Sequence, residues 1–336
     1  MVIPETIKKR NHFLPETYLE KFLNKDNRLY VYKKGEEFFK NGIKKEERLL
    51  IVEGSDGLNA IAVKNKLYIP EGESVKDKNI FEDFFAEEIE SKYNDFLAFI
   101  EDNFFNAQVI FKKYRDYIIL LIASMISRTL HSKTEVEEIY KAHFQAYNWA
   151  QSFDKKGDEK MKKFIKGKHP DMTDEKVDRA IKDYTDMISK GKFGIKIPRN
   201  LFIKHIFQNI NLYGWIISDM TIQILRCKEP DYFITTDAPV VYFVPKGKEN
   251  FYFSAKSLGG PYTELYFPLS KNLCLFLSRL KLDVLSGLPV NKEIVDITND
   301  NLSHNSRKFI FSPEKSPLLE KFLEEYIPYP FKFGMS

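Results

Sequence analysis

The chain has 336 residues, 43% of them hydrophobic and 30% charged, and this ordinary balance excludes an intrinsically disordered protein. Its net charge of +4, from 52 lysines and arginines against 48 acidic residues, allows a nucleic-acid partner without demanding one. The longest apolar run, 117–126, is about half as long as a membrane-spanning helix, and two cysteines are too few for a disulfide framework. We therefore expect a cytoplasmic protein with no membrane partner.

The first predicted elements are a short helix and three strands. Proline and glutamate in a first helical turn, followed by leucine and phenylalanine at helical spacing, predict a helix over 14–23. A strand is predicted over 29–32. A hairpin of strands over 49–52 and 60–68 is predicted next, because the Gly-Ser-Asp-Gly sequence between them is typical of a turn.

The middle of the chain, 79–220, is predicted to be helical, because apolar residues recur there every three to four positions. The predicted helices lie at 80–100 (with Asp77 as a candidate cap), 107–153, two within 154–194, and 198–220. We interpret this region as a helical subdomain or an insertion.

The final third is predicted to be rich in strands. The predicted strands are 221–226, 232–235, 240–244, 262–267, 273–278 and 309–311, and the predicted helices are 292–305 and 318–326. Because the late strands have no helices between them, an antiparallel arrangement fits them. Strands at both ends of the chain predict one α+β domain, 1–336, in which N- and C-terminal strands share a mixed or antiparallel sheet.

Arg128 ends an apolar helical segment and extends its apolar stripe, with His131 one turn further on. An arginine on a buried face requires a carboxylate partner or a bound anion. Glu87 and Glu90, on the preceding helix, are candidate partners. We predict that Arg128 and Glu90 lie within salt-bridge reach.

His12 and Asp237 each lie at the boundary of a predicted element. An imidazole before a helix is either a structural cap or a general acid or base, since it exchanges protons near neutral pH. Asp237 follows an apolar strand and precedes the turn at Pro239. A carboxylate there is either catalytic or the centre of an Asx-turn. We expect His12 and Asp237 to approach one another.

The same residues fall into a pattern that resembles a bacterial domain-of-unknown-function family, number 4238. The matching motifs are His12, Pro15, Tyr18, Leu19 and Phe22, then Ile89-Glu90, Arg128-Thr129, Thr235, Thr236, Asp237, Pro239 and Val240, Pro268-Leu269-Ser270, Asn301 and Arg307. The chain departs from the family at Thr236, where serine is usual, and at Ala238, where asparagine is usual. The resemblance implies the fold and this residue set, and it implies no established activity.

Two hypotheses of function follow. In the first, the chain is a phosphodiester-directed hydrolase of the RNase type, with phage defence as a possible setting and RNA or another phosphate-containing ligand as its partner. The residues of its pocket would be His12, Glu90, Arg128, Asp237 and Asn301. Arg128 would bind the anion, His12 would act as general acid or base, and Asp237 would orient His12 or hold a metal such as Mg²⁺.

In the second hypothesis the chain is a non-catalytic binding or scaffold module. The same side chains would then form a buried polar network that is satisfied internally. Solvent access distinguishes the two hypotheses, because catalytic groups must open onto a cleft.

Overall fold

The computed structural model describes residues 10–34, 49–58, 61–71, 79–152, 155–190, 192–193, 196–248, 258–279 and 287–325. Asp77, the candidate helix cap, lies outside these ranges. In the described part of the chain, no helix combines the length and the apolar character needed to cross a membrane.

The N-terminal elements are short and alternate between strand and helix. They are β1 (Arg10–His12), α1 (Glu16–Leu19) with a 3-10 turn (Glu20–Phe22), β2 (Arg28–Lys33), β3 (Leu49–Glu53), α2 (Gly54–Leu58) and β4 (Val63–Asn65). The early helix and strand predicted from the sequence are therefore present.

The predicted hairpin of 49–52 with 60–68 is wrong. β3 pairs with β2, and β4 pairs with β1, both antiparallel. The glycine-rich segment between β3 and β4 forms the helical turn α2, which begins at Gly54 with φ +63° and folds back over Val52. The glycines therefore lie in a helical turn that separates the two strands.

The central helices are α3 (Ile80–Phe85), a π-helical turn (Ala86–Glu90), α4 (Ser91–Asn103), α5 (Ala107–Ser127), α6 (Leu130–Ser152), α7 (Lys155–Lys168), α8 (Asp174–Ser189) and α9 (Arg199–Ser218). The predicted single helix 107–153 is interrupted at 128–129. The Tyr68 hydroxyl donates to the carbonyl of Arg128 at 2.8 Å, and the Ser127 hydroxyl donates to the carbonyl of Ala123. Side-chain hydroxyls thus donate to backbone carbonyls near the point where the helix ends.

The C-terminal elements are β5 (Thr221–Arg226), β6 (Thr235–Thr236), β7 (Val241–Phe243), β8 (Glu264–Pro268), β9 (Leu273–Ser278), β10 (Leu288–Pro289), α10 (Lys292–Asn305), β11 (Phe309–Ser312) and α11 (Pro317–Glu325). The strand predicted over 232–235 is shorter than expected. Its first residues bond loop atoms instead, as in the bond from the N–H of Phe233 to the carbonyl of Lys271.

The strands form sheets in the order β1-β4, β10-β5-β9-β8-β7 and β3-β2-β11-β6. All neighbours are antiparallel except β10 and β5, which are parallel. Val31 of β2 lies opposite Phe311 of β11, so an N-terminal and a C-terminal strand share one sheet. The α+β class and the mixed or antiparallel sheet predicted from the sequence are confirmed.

One buried cluster contains residues from both larger sheets. Tyr32 and Ile310 come from the four-stranded sheet, and Leu225, Val241 and Cys274 come from the five-stranded sheet. These side chains are at most 5% exposed, so much of the stability of this region comes from burial of apolar surface between the sheets.

The chain divides into two compact units. The larger unit contains Met1–His131 and Arg199–Ser336, and the smaller unit contains Ser132–Pro198. In the smaller unit, α7 and α8 are joined by an ion pair from Lys162 to Asp178 at 2.6 Å. Compactness alone does not test whether 79–220 is an inserted subdomain, which stays a prediction.

Candidate functional site

Arg128 ends α5 with its side chain in the core of the larger unit. Its N–H donates to the carbonyl of Ser124 at 2.9 Å, so the residue closes the last helical turn. Leu121 and Met125, which precede it on the same stripe, are buried, and Arg128 is 1% exposed. The guanidinium of Arg128 therefore lies in the protein interior, as the apolar stripe in the sequence predicts.

Four groups in the described part of the chain contact the Arg128 guanidinium. Its Nη2 donates to Glu90 Oε1 at 2.9 Å and to the carbonyl of His12 at 3.2 Å, and its Nε donates to the carbonyl of Phe13 at 3.4 Å. The guanidinium carbon lies 4.7 Å from the ring centre of Phe85. The predicted Arg128–Glu90 pair is confirmed. Burial alone lowers the pKa of Arg128, but Glu90, Tyr68 and Glu82 together outweigh that effect, so the pKa is raised and the group stays charged.

The remaining guanidinium nitrogen, Nη1, is buried and has no hydrogen-bond partner in the part of the chain described. A buried donor without an acceptor costs about 1–3 kcal/mol. An anion or a polar ligand group in this position would remove that cost.

Glu90 owes its position to the π-helical turn between α3 and α4. The turn Ala86–Glu90 is wider than an α-helix, and Glu90 is its last residue. The hydroxyl of Tyr117, from α5, donates to the carbonyl of Ile89 at 2.8 Å and ties this turn to the neighbouring helix. The Glu90 side chain is 26% exposed, so it reaches Arg128 from the solvent side of the core.

Asp237 lies just after β6 and is 1% exposed. Its Oδ1 accepts the N–H of Arg307 at 2.9 Å and its Oδ2 accepts the N–H of Lys308 at 2.8 Å. Burial raises the pKa of Asp237, and these N–H groups oppose that rise. The carboxylate thus fixes the backbone that enters β11, about 70 positions away, while the local turn is shaped by the Thr236 hydroxyl, which accepts the N–H of Ala238 at 3.2 Å.

The metal-binding role of Asp237 stays a prediction. Within the described ranges, no group of three or more His, Cys, Asp or Glu side chains is arranged to hold a metal ion. Both Asp237 oxygens already accept backbone N–H groups, which is the role expected of a carboxylate that orders a turn.

Arg307 and His131 form a pair that sequence reasoning did not propose as catalytic. Arg307 Nε donates to His131 Nδ1 at 2.7 Å, and both residues are half-buried. A guanidinium has no acceptor, so His131 Nδ1 must accept and the imidazole proton must lie on Nε2. Two signals were available, because His131 lies one turn after Arg128 and Arg307 belongs to the family motif.

Asp237 and Arg128, which are both buried, fix the backbone next to the Arg307–His131 pair. Asp237 bonds the N–H of Arg307 itself, and Arg128 is anchored three residues before His131. Lys34 directly follows β2, and its Nζ donates to the carbonyls of Ser303 at 2.7 Å and Ser306 at 2.9 Å, at the end of α10. Burial lowers the pKa of Lys34 to about 8, against the opposing charge of Asp237.

Among the described residues, the amide of Asn301 bonds its own helix. Asn301 Nδ2 donates to the carbonyl of Ile297 within α10. Asn299 instead bonds the segment before Asp237, with Nδ2 donating to the carbonyl of Tyr232 at 2.8 Å and Oδ1 accepting the N–H of Ile234 at 3.0 Å. Residues two positions apart on a helix point about 200° apart, so Asn299 and Asn301 lie on different faces of α10, and the role of Asn301 in the pocket stays a prediction.

His12 is the last residue of β1 and pairs with Val63. Its carbonyl accepts from Arg128, and its side chain is half-buried. The structure therefore ties His12 to Arg128 and Glu90. The approach of the His12 side chain to Asp237 stays a prediction, as do the catalytic roles of all five residues.

The comparison with known families agrees with the motif reading. The family model described as "Protein of unknown function (DUF4238)" matches residues 10–316. No curated protein and no solved structure matches the chain. The match covers most of the chain and includes His12, Glu90, Arg128, Asp237 and Arg307. The chain therefore belongs to the family described as protein of unknown function DUF4238.

Proposed function

We propose that this chain is a phosphodiester-directed hydrolase of the RNase type. The observation that supports it best is the bond from Arg307 to His131, because it places a cation beside an imidazole of defined tautomer on half-buried side chains. A phosphate oxygen is a natural partner for a guanidinium. The Nε2–H of a neutral imidazole can donate a hydrogen bond to a leaving oxygen and stabilise the charge that develops there.

In this proposal Arg307 holds the scissile phosphate, and the Nε2–H of His131 donates a hydrogen bond to the leaving 5′-oxygen. His12 accepts the proton of the ribose 2′-hydroxyl, whose oxygen attacks phosphorus. The bond from phosphorus to the 5′-oxygen breaks, and that oxygen takes a proton from water while His131 stabilises its developing charge. The hydroxide that remains attacks phosphorus of the cyclic phosphate, the bond from phosphorus to the 2′-oxygen breaks, and that oxygen takes the proton back from His12. This chemistry selects RNA over DNA, since DNA has no 2′-hydroxyl.

Arg128, Glu90 and Asp237 are positioning residues in this scheme. Arg128 donates to the carbonyls of His12, the last residue of β1, and of Phe13, and so fixes the backbone of His12. Glu90 balances the charge of Arg128. Asp237 fixes the backbone of Arg307. Rigid support of this kind keeps reacting groups at the separation that the chemistry needs.

A binding or scaffold module is the second candidate, and it has its own supporting observation. Arg128 and Asp237 are each 1% exposed, which is the sealed state expected of a structural network. Under this proposal the network fixes one fold and the chain has no turnover. The function test must therefore separate loss of activity from loss of stability.

The test is incubation of the purified chain with labelled single-stranded RNA, DNA and nucleotides, with and without Mg²⁺. We expect RNA cleavage that falls by about 10²–10⁴-fold in His131→Ala and in His12→Ala. The melting temperature should stay within a few degrees in both variants. His169→Ala is the matched control, because His169 is an exposed histidine of the smaller unit and should leave cleavage unchanged.

The outcome that contradicts the hydrolase is equal cleavage by the wild type and by both histidine variants. A loss of about 1–3 kcal/mol of unfolding free energy in Asp237→Asn, without any cleavage by the wild type, would instead support the structural network.

We place this activity in a bacterial cytoplasm, with phage defence as its setting. Cys227 and Cys274 are buried free thiols, which suits a reducing compartment. Plaque counts on cells that express the wild type should fall relative to cells that express His131→Ala. Equal counts would contradict the defence role while leaving the cleavage assay to decide the chemistry.

A further inference from the structure

A groove of about 390 Å³ lies on the surface of the larger unit beside α9. Its lining combines an apolar floor with a polar rim. The floor is Pro70, Phe81, Ile203 and Phe207, and the rim is Asn200, Lys204, Gln208 and Asn211.

The floor of the groove is the outer end of a stack of aromatic rings. The Phe81 and Phe207 ring centres lie 5.1 Å apart. Phe207 is stacked on Phe85 at 6.1 Å with an interplanar angle of 19°, and the Arg128 guanidinium lies over Phe85. The groove is thus one buried ring away from the guanidinium of the candidate site.

The rim offers hydrogen-bonding groups and a positive charge. Lys204, Gln208 and Asn211 are exposed and follow one another at spacings of four and three, so they share one face of α9. Trp215 continues this face four residues later and is 71% exposed. From Arg199 to Ser218 the helix contains no aspartate or glutamate, and Arg199 is paired with Glu71 at 3.4 Å.

We propose that this groove binds single-stranded RNA, with one base against the Phe81 and Phe207 rings and Lys204 on the backbone phosphate. Aromatic side chains next to cations are the means by which proteins hold unpaired bases. The amides of Gln208 and Asn211 can bond base edges, and Trp215 provides a second ring for a neighbouring base. The proposal rests on the proposed function, since it names the substrate class of that site and a subsite that holds it.

An apolar groove can also receive a protein segment, and two features favour the nucleic acid. Two of the four floor residues, Phe81 and Phe207, present aromatic rings, and the charged residue of the rim is a lysine. A single-stranded nucleic acid complements both the lysine of the rim and the rings of the floor, whereas an acidic peptide complements the lysine alone.

The test is the anisotropy of a fluorescein-labelled ten-nucleotide RNA titrated with the full-length chain. Phe207→Leu keeps an apolar side chain but removes the ring, and we expect it to raise Kd about 10-fold. Lys204→Ala should raise Kd about threefold and reduce the slope of log Kd against log salt by about 0.7. Lys112→Ala, at an exposed lysine of α5, is the matched control and should change neither.

Three results would overturn RNA binding in the groove. The first is no binding of the RNA by the wild type, and the second is that Phe207→Leu and Lys204→Ala both have the Kd of the wild type. The third is equal affinity of the wild type for the single-stranded RNA and for a duplex or a polyglutamate peptide. Since Lys204 is exposed, its replacement tests the proposal even if Phe207→Leu lowers stability. Cleavage measured in parallel separates the two proposals. Groove-dependent binding without cleavage contradicts the hydrolase alone, and cleavage with binding that both groove variants leave unchanged contradicts the groove alone.

Discussion

The Arg128–Glu90 pair takes a guanidinium out of water and offsets that cost with one carboxylate and two carbonyls. Arg128→Ala leaves Glu90 without its partner and creates a cavity, so we expect a loss of about 3–5 kcal/mol of unfolding free energy. Arg128→Met retains the apolar packing and should cost about 1–2 kcal/mol less. Urea titration of both variants measures the difference.

Lys92→Ala serves as the control for that comparison. Lys92 pairs with Glu88 at 2.6 Å, with both side chains about half exposed, and such a pair contributes at most about 0.5 kcal/mol. If Arg128→Ala destabilised the chain no more than Lys92→Ala, or if the alanine and methionine variants were equally unstable, the buried pair would not have the role assigned to it.

Lys34 should give the chain a distinct pH dependence. Its pKa in the folded state is lowered to about 8 from a usual value of 10.5. Between these values the unfolded chain binds the extra proton, so the lysine contribution to stability rises as the pH rises through that window. The unfolding free energy of the wild type minus that of Lys34→Met should therefore increase between about pH 8 and pH 10.5. A difference that is flat or falls there would contradict the lowered pKa.

At the scale of elements, the sequence predicted helices better than strand pairing. The helical period is local, and it correctly indicated α4, α9 and α10. Pairing is not local: β2 meets β11, nearly 280 residues later, and no turn between them shows this. The same difference between local patterns and distant pairing explains which contacts of the candidate site could be predicted from the sequence. Arg128 required a nearby counter-charge, which the sequence supplied as Glu90, whereas the Arg307–His131 pair depends on how β11 returns to the core.

Strand β10 depends on a close approach of Gly287 to Phe104, at the end of α4. The N–H of Gly287 donates to the carbonyl of Phe104 at 3.0 Å, and a Cβ at Gly287 would lie 2.6 Å from a ring carbon. Gly287→Ala should therefore cost about 1–3 kcal/mol of unfolding free energy, since neither backbone nor ring can move away freely. Gly167→Ala is the matched control, because nothing lies within 4 Å of that position and alanine favours a helix. Thermal unfolding of the two alanine variants should change in opposite directions, and equal shifts would refute the close contact.

At the scale of the whole molecule, the candidate site and the groove both belong to the larger unit. Its buried cluster includes residues of both main sheets, which gives the site a rigid support. In the smaller unit, the buried apolar residues of the described chain are Val136, Val177, Ile181, Ile188 and Ile197. A unit of this size with so few core side chains is expected to be less stable than the larger one.

We therefore predict that hydrogen exchange separates the two units. Amides of α7 and α8 should exchange at a lower opening free energy than those of β5 and β9, because their helices bury less apolar surface. Gly167→Ala should slow exchange in α7 without changing exchange in the sheet, since the residue lies in the smaller unit. Exchange measured by mass spectrometry on peptides from each unit provides the comparison. If both units opened at one free energy, and Gly167→Ala slowed exchange equally in both, the chain would unfold as a single cooperative body.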